Sequence, residues 1–291
     1  NAFRGADLIG EMVLVDQRPI GRTPRANLLT YTKALDPLRN LLAQTPEARA
    51  RGLTTKHFSF NVPGGRCERC NGEGYEHVEM QFLADVFIRC PQCDGRRFKE
   101  EILDIRARGM SIGDMLQSTA KELMERFSDQ EPVLRTLRPI TAIGLDYIEL
   151  GQPLSTLSGG EAQRLKLIRH LRETNGAKSA SGSKGKPPEP AKGDVFLLDE
   201  PTTGLHPHDL RKLIDVLRRL VDAGNTVIVV EHNLDLLQAC DWIVDLGPEG
   251  GERGGEVVAE GPPEFVASHP ASRTGEFLQR RMEGRSKIED P

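Results

Sequence analysis

Cys67, Cys70, Cys90 and Cys93 form two C-x-x-C pairs with nineteen residues between them. Zinc takes four soft or borderline ligands in a tetrahedron, and each C-x-x-C turn supplies two thiolates from one knuckle, so the spacing predicts a four-cysteine zinc site. A shell of four cysteines is closed and leaves no position for an activated water, so the expected metal is a structural staple and not a catalyst. Each pair runs into a small turn, Asn71-Gly72 and Asp94-Gly95, that can point backbone amides at the sulfurs. His77, between the pairs, reads as a surface or packing residue and not as a fifth ligand.

Two further groups of residues could handle a nucleotide. Ser158 and Glu161 have capping-box spacing, so a helix should begin there. Gly159 and Gly160 in its first turn expose N–H groups at the positive end of the helix dipole, which is a seat for a phosphate; an ordinary capped helix is the plainer alternative. Further on, the apolar run Val195–Leu198 delivers Asp199 and Glu200 at its end. The first carboxylate can hold Mg2+ and the second can orient or deprotonate an attacking water, although an apolar run followed by two acids is also common in purely structural settings. Val227–Val230 repeats the arrangement with His232 at its end, a position that by itself is more often structural than catalytic.

Elements must hold these groups in place. Met12–Asp16 reads as a short buried strand ending at Gln17, followed by a Pro/Gly-rich loop through Pro24. Residues 35–52 have helical spacing, with Leu38, Leu41 and Leu42 on one face and Gly52 as the stop. Between the cysteine pairs, Val78, Met80 and Phe82 alternate, as do Val86 and Ile88, around a turn at Leu83–Asp85; this predicts a β-hairpin. Residues 111–143 are helical in period, with Ile112, Met115, Leu116, Leu123 and Phe127 as apolar positions. The stretch 175–193 is rich in Gly, Ser, Lys and Pro and is expected to be a mobile linker. A strand at 195–199, a helix at 207–222 with Leu210, Leu213, Leu217 and Leu220 inward and Gly224 as its stop, and a strand at 226–230 follow. Short strands at 242–246 and 256–259 complete what reads as a mostly parallel, two-sided α/β sheet.

Composition narrows the classes. In 291 residues the longest apolar runs are strand-sized, so no membrane span is expected, and the absence of a leader pattern implies a cytoplasmic protein. Five cysteines, four of them in pairs, read as metal ligands in a reducing compartment; Cys240, near Trp242, reads as a core thiol. A net charge of −4 gives no bulk attraction to nucleic acid. A local patch is conceivable from Arg66, Arg69, Arg89, Arg96, Arg97 and Lys99, but six acidic residues share that span, and DNA contact there stays open. The chain opens on Asn1 and reaches a strand at once, which reads as a piece of a longer polypeptide.

The order LSGGE, LLDEP, VVEH resembles the signature, Walker B and switch-histidine order of the ATP-binding-cassette superfamily. Its finer text resembles the UvrA family, the damage-recognition ATPases of bacterial nucleotide excision repair, in their C-terminal half. The stretches that carry the likeness are VDQRPIGRTPRAN (15–27), FSFNVPGGRCERCNGEG (58–74), QFLADVFIRCPQCDGRRF (81–98), LGQPLSTLSGGEAQRLKL (150–167), LLDEPTTGLH (197–206) and DWIVDLGPEGGERGGEVVAEG (241–261). The resemblance implies an ATP-binding-cassette core with an inserted zinc hairpin and a helical signature subdomain. Its parts would be a partial nucleotide-binding core at 1–57, the four-cysteine zinc module at 58–103, the signature subdomain at 104–174, a linker at 175–193 and the Walker B part with the C-terminal tail at 194–291.

By the same resemblance Gln17 is the Q-loop sensor of Mg2+ and γ-phosphate, and Ser158, Gly159 and Gly160 contact ATP held mainly by an opposing cassette. Asp199 becomes the magnesium carboxylate, Glu200 the catalytic base, His232 the switch histidine and His206 part of the D-loop. The implied cofactors are Zn2+, ATP and Mg2+. The implied partners are double-stranded DNA, especially damaged DNA, a UvrB-type repair subunit and a second copy of the protein. Two departures stand out. No G-x-x-x-x-G-K-[ST] loop occurs in the chain, and the nearest look-alike, Ala180–Pro187, lacks the first glycine and the final hydroxyl, so weak ATP binding and little hydrolysis are expected of it alone. The linker is also longer than the family pattern, a change of small energetic cost. A transporter's nucleotide-binding subunit would share LSGGE and LLDE but not a zinc hairpin ahead of them. A non-enzymatic zinc scaffold would leave the cassette motifs unexplained.

Overall fold

The computed structural model describes residues 5–21, 23–78, 86–175, 192–249 and 254–286, and the chain divides into two compact units, 15–191 and 1–14 with 192–291. In chain order the strands are β1 (Ile9–Val15), β2 (Tyr75–Val78), β3 (Val86–Arg89), β4 (Gly193–Asp199), β5 (Thr226–Val230), β6 (Ile243–Gly247) and β7 (Glu256–Gly261). The helices of the 15–191 unit are α1 (Leu28–Tyr31), α2 (Leu35–Ala43), α3 (Pro46–Ala50), α4 (Glu100–Leu103), α5 (Ile112–Gln117), α6 (Ala120–Arg126), α7 (Glu131–Ala142) and α8 (Gly159–Asn175). The other unit carries α9 (Pro207–Asp222), α10 (Leu234–Leu237), α11 (Pro263–Ser268) and α12 (Arg273–Ser286).

Local chemistry sets the helix boundaries in the 15–191 unit. The single helix expected over 35–52 is two, because Thr45 takes an extended conformation, caps Ala48 N–H and hands over to Pro46 in the first helical turn, where proline's missing N–H costs nothing. The helical stretch 111–143 is likewise three helices. Ser111 with Asp114 starts the first; the extended capping box of Thr119 with Glu122 breaks the spiral between α5 and α6, and the non-helical backbone of Phe127 and Gln130 breaks it before α7. Leu38, Leu42, Ile112, Met115, Leu123, Phe127, Leu137 and Ile140 are all buried, with α2 touching α5 and α7, and α7 touching α8.

In the other unit the sheet order is β1-β4-β5, and β4 and β5 run parallel from Val195↔Thr226 to Asp199↔Val230. The helix between them, α9, packs on β5 through buried Leu210, Leu213, Val216, Leu217 and Leu220. Each of those leucines is worth roughly 2–5 kcal/mol against alanine. Gly224 ends the α9 turn at a φ of 88°, as the sequence anticipates.

Two strand expectations need correction. The first strand is not buried: Met12 is 58% and Leu14 65% exposed, because no helix among the described residues covers them. The last two strands do not extend the parallel sheet; β6 and β7 form their own antiparallel pair, packed with α11 and α12 around Ile243, Ala259, Val266 and Leu278. Cys240 lies partly buried against that cluster and donates its S–H to Leu236 O, while Trp242 is exposed. Among the described residues no helix is long and apolar enough to cross a membrane. The proposed linker falls almost wholly outside the described residues; α8 runs to Asn175 and β4 begins at Gly193.

Candidate functional site

The four cysteine sulfurs lie within 4.8 Å of one another and all four residues are buried. Metal–sulfur bonds of about 2.3 Å in a tetrahedron give sulfur–sulfur edges of about 3.8 Å. Cys70 Sγ and Cys93 Sγ are 3.7 Å apart, so the donor set fits such an ion. Both knuckle turns adopt left-handed backbone, with φ of 51° and 82° at Asn71 and Gly72 and 47° and 77° at Asp94 and Gly95. A side chain at Gly72 would begin 2.2 Å from Phe60 O, so glycine is required there. Gly74 N–H donates to Cys70 Sγ at 3.2 Å. The hydrogen bond from the Cys93 thiol, aided by the Gly74 and Gly72 N–H groups and opposed by burial, pushes Cys70 down to about 4, while the same contact and burial push Cys93 up. β2 and β3 pair antiparallel from Tyr75↔Arg89 to Val78↔Val86, which is the expected hairpin; its tip, with Met80 and Phe82, lies outside the described residues.

The basic residues of this module are mostly committed to other work. Arg97, one of the six in the conceivable patch, is 1% exposed. Its guanidinium donates to Pro24 O at 2.9 Å and Gly151 O at 2.8 Å and lies 5.0 Å over the Phe60 ring. It ties the module to the rest of its unit and cannot meet a nucleic acid; burial lowers its pKa to about 10, leaving it charged at neutral pH. Arg69 pairs with Glu76, Arg96 with Glu100 and Lys99 with Glu68. A cleft of about 590 Å³ beside Cys70 is lined by Arg25, Arg66, Arg69, Glu73, Tyr75 and Glu76, among others.

In the same unit α8 grips the segment on either side of Gln17. Ser158 N–H donates to Glu161 Oε2 at 2.7 Å and Glu161 N–H to Ser158 Oγ at 3.3 Å, completing the expected box; Tyr147 donates to the other oxygen of Glu161. One turn further, Gln163 Nε2 donates to Val15 O at 2.8 Å in a buried contact. Lys166 Nζ reaches Asp16 O at 2.7 Å, the Asp16 carboxylate, and Arg18 O at 3.0 Å. The side chain of Gln17, between these anchors, lies so close to Gly159 that a Cβ there would sit 2.9 Å from Gln17 Oε1. Ser158 is exposed, Gly159 half-buried and Gly160 buried.

The remaining candidates sit at the ends of β4 and β5. Asp199 is the last residue of β4, and Glu200 N–H continues the pairing to Val230 O at 2.9 Å. Glu200 has a φ of 45°, unusual for a residue with a side chain, and backbone held off its normal basins clusters at functional sites. His232 Nδ1 lies 3.9 Å from Glu200 Oε1, with both side chains open to solvent. His206 is exposed just before α9 and its carbonyl accepts from Asp209 N–H and Leu210 N–H. Sequence reasoning passed over Glu231. Its carboxylate accepts from Thr202 N at 2.9 Å, Thr202 Oγ1, His232 N at 2.8 Å and Asn233 N at 3.0 Å, contacts that together hold its pKa below the usual value against the effect of burial. The signal was present: an acid beside a strand-end histidine, facing a Thr-Thr pair after the other strand.

A parallel strand pair ending in Asp199-Glu200 and His232, a capped Ser-Gly-Gly-Glu helix and a four-thiol hairpin define an ATP-binding-cassette fold with an inserted four-cysteine module. No protein-family model matches the chain. The chain is 52% identical over 280 residues to UvrABC system protein A of Aquifex aeolicus, covering 96% of this chain and 29% of that protein. It is 49% identical over 287 residues to the protein of the same name from Thermus thermophilus, covering 99% and 28%. The crystal structure of UvrA2 from Deinococcus radiodurans matches with a TM-score of 0.80 at 46% identity, covering 94% of this chain and 32% of that one. The chain belongs to the UvrA family, and it spans under a third of the length of the curated relatives it matches.

Proposed function

We propose that this chain is part of the DNA-damage-recognition ATPase of nucleotide excision repair, in which cassette closure on ATP reshapes a DNA-binding surface and loads a UvrB-type subunit. The observation that carries the reading is the near-50% identity to UvrABC system protein A over almost the whole chain, through both the thiol cluster and the cassette motifs. A transporter subunit is disfavoured because a buried four-thiol hairpin precedes the signature helix.

In this reading Cys67, Cys70, Cys90 and Cys93 hold Zn2+ as a closed structural ion. Bound ATP supplies the phosphoanhydride whose cleavage drives the cycle, with Asp199 as the carboxylate for Mg2+. Gln17 senses the occupied site, and Ser158 with the Gly159 and Gly160 amides contributes donors to the opposing cassette of a homodimer. Glu200 takes the proton of the attacking water, and His232, at ion-pair distance from it, holds the terminal phosphate region. The chain contains no G-x-x-x-x-G-K-[ST] loop, so by itself it binds and turns over ATP poorly. The protein works in the cytoplasm on double-stranded DNA, and reads distorted duplex shape in preference to base edges.

The test is binding of the zinc-loaded chain to a duplex with a bulky adduct and to the same duplex undamaged, across a salt series. Tighter binding to the adduct, lost in Cys90→Ser/Cys93→Ser, is the expected result. Binding indifferent to the adduct assigns only phosphate tracking to this part. No binding at any salt removes DNA from the reading of this chain.

A further inference from the structure

The ladder between β4 and β5 ends at Asp199↔Val230, and the Glu200 N–H to Val230 O bond adds one rung. Beyond it the two strands diverge into the turn 200–205 and the loop 231–233, the segments that carry Glu200 and His232. The Glu231 carboxylate spans this gap with a division of labour between its oxygens. Oε1 takes both donors of Thr202, its N–H at 2.9 Å and its hydroxyl, and Oε2 takes the N–H groups of His232 at 2.8 Å and Asn233 at 3.0 Å. One side chain therefore fixes a residue two past Glu200 and the backbone of His232 itself. Asn233 is also the cap of α10, accepting from Asp235 N–H and Leu236 N–H, so the tie continues into that helix.

We infer that Glu231 is a positioning residue that sets the spacing of Glu200 and His232 by bracing the turn after β4 against the loop after β5. The inference rests on the roles proposed above for those two residues. A carboxylate suits the task because it is acceptor-only: four donors converge on it with none repelled. Glutamine keeps the shape but turns one end into a donor, which must face either the Thr202 pair or the His232/Asn233 pair and break that side of the brace. Because Glu200 is held at a φ of 45°, its carboxylate direction depends on how the turn is pinned, and Thr202 is the pinned residue.

The experiment has two arms. In this chain, amide hydrogen exchange of Glu231→Gln is compared with the parent. Thr202, His232 and Asn233 amides are expected to exchange about tenfold faster or more, with Leu197 and Val229 in the ladder unchanged. In the full-length protein, kcat for ATP is expected to fall about tenfold or more while KM stays within about twofold, the pattern of a lost transition-state alignment. Thr202→Val, which removes one donor and no charge, should give a smaller loss, and the double variant should lose less than the product of the two. Faster exchange with unchanged kcat would make Glu231 a local staple and overturn the inference. A rise in KM that accounts for the whole effect would overturn it as well, by moving Glu231 to nucleotide binding. If the parent full-length protein hydrolyses no ATP, the proposed function fails while the exchange arm still decides whether the brace exists; unchanged exchange at those three amides sinks the brace itself.

Discussion

At the scale of single residues, charge alone says little about role. Arg96 and Arg97 are neighbours in sequence, yet Arg96 makes an exposed i,i+4 pair with Glu100 whereas Arg97 is sealed under Phe60 and three backbone carbonyls. Arg97→Met leaves those carbonyls without donors and should cost on the order of 3 kcal/mol. Arg96→Ala should cost only about 0.5 kcal/mol. Urea unfolding of the two variants measures the contrast, and equal losses would contradict the structural assignment. Sequence could not separate the pair, since two of Arg97's acceptors, Pro24 and Gly151, lie more than fifty residues away along the chain.

At the scale of elements, what is locally encoded was legible. The capping box at Ser158, the thiol knuckles, the end of α9 and the existence of the hairpin all follow from neighbours within a few residues. Helix breaks at Thr45 and Thr119 escaped because the apolar period runs on in phase across them, even though each cap residue was itself in view. The exposure of Met12 and Leu14 escaped for a different reason: an apolar run states what a strand would bury, not what packs on it. Nor does spacing reveal that α8 grips the segment on either side of Gln17. That grip yields a pH prediction. The hydrogen bond from Lys166 holds Asp16 below its ordinary 3.8, so it contributes stability that is fully present above that value and is lost as the pH falls through the depressed folded-state value. Lys166→Met should therefore destabilise the 15–191 unit at pH 7, by thermal melting, and the deficit relative to the parent should shrink as the pH drops below 3.8. A deficit constant with pH would mean the lysine acts only through the carbonyls of Asp16 and Arg18.

At the scale of the whole molecule, the two units give metal removal a local signature. The thiols belong to the 15–191 unit, and Cys90 and Asp94 N–H groups are bonded within the knuckles, to Gly74 O and Cys90 O. Stripping the ion with a chelator at mildly acidic pH, where thiolates take up protons, should abolish protection of those amides. The β4–β5 amides should keep theirs, and loss of both together would show that the metal supports the whole chain.

The division of units falls inside β1, between Leu14 and Val15, and this has a consequence for synthesis. The hydrogen-bonding neighbour of β1 is β4, and the ribosome must add the entire stretch from Val15 to Gly193 before that neighbour begins. At roughly 5–20 residues per second this is a wait of about 10–40 s, long enough for many domains to fold. The 15–191 unit can therefore be complete, thiols and all, while an exposed strand bearing Met12 and Leu14 still lacks its ladder partner. In a cell, guarding that strand during translation falls to chaperones or to whatever else the nascent chain offers it.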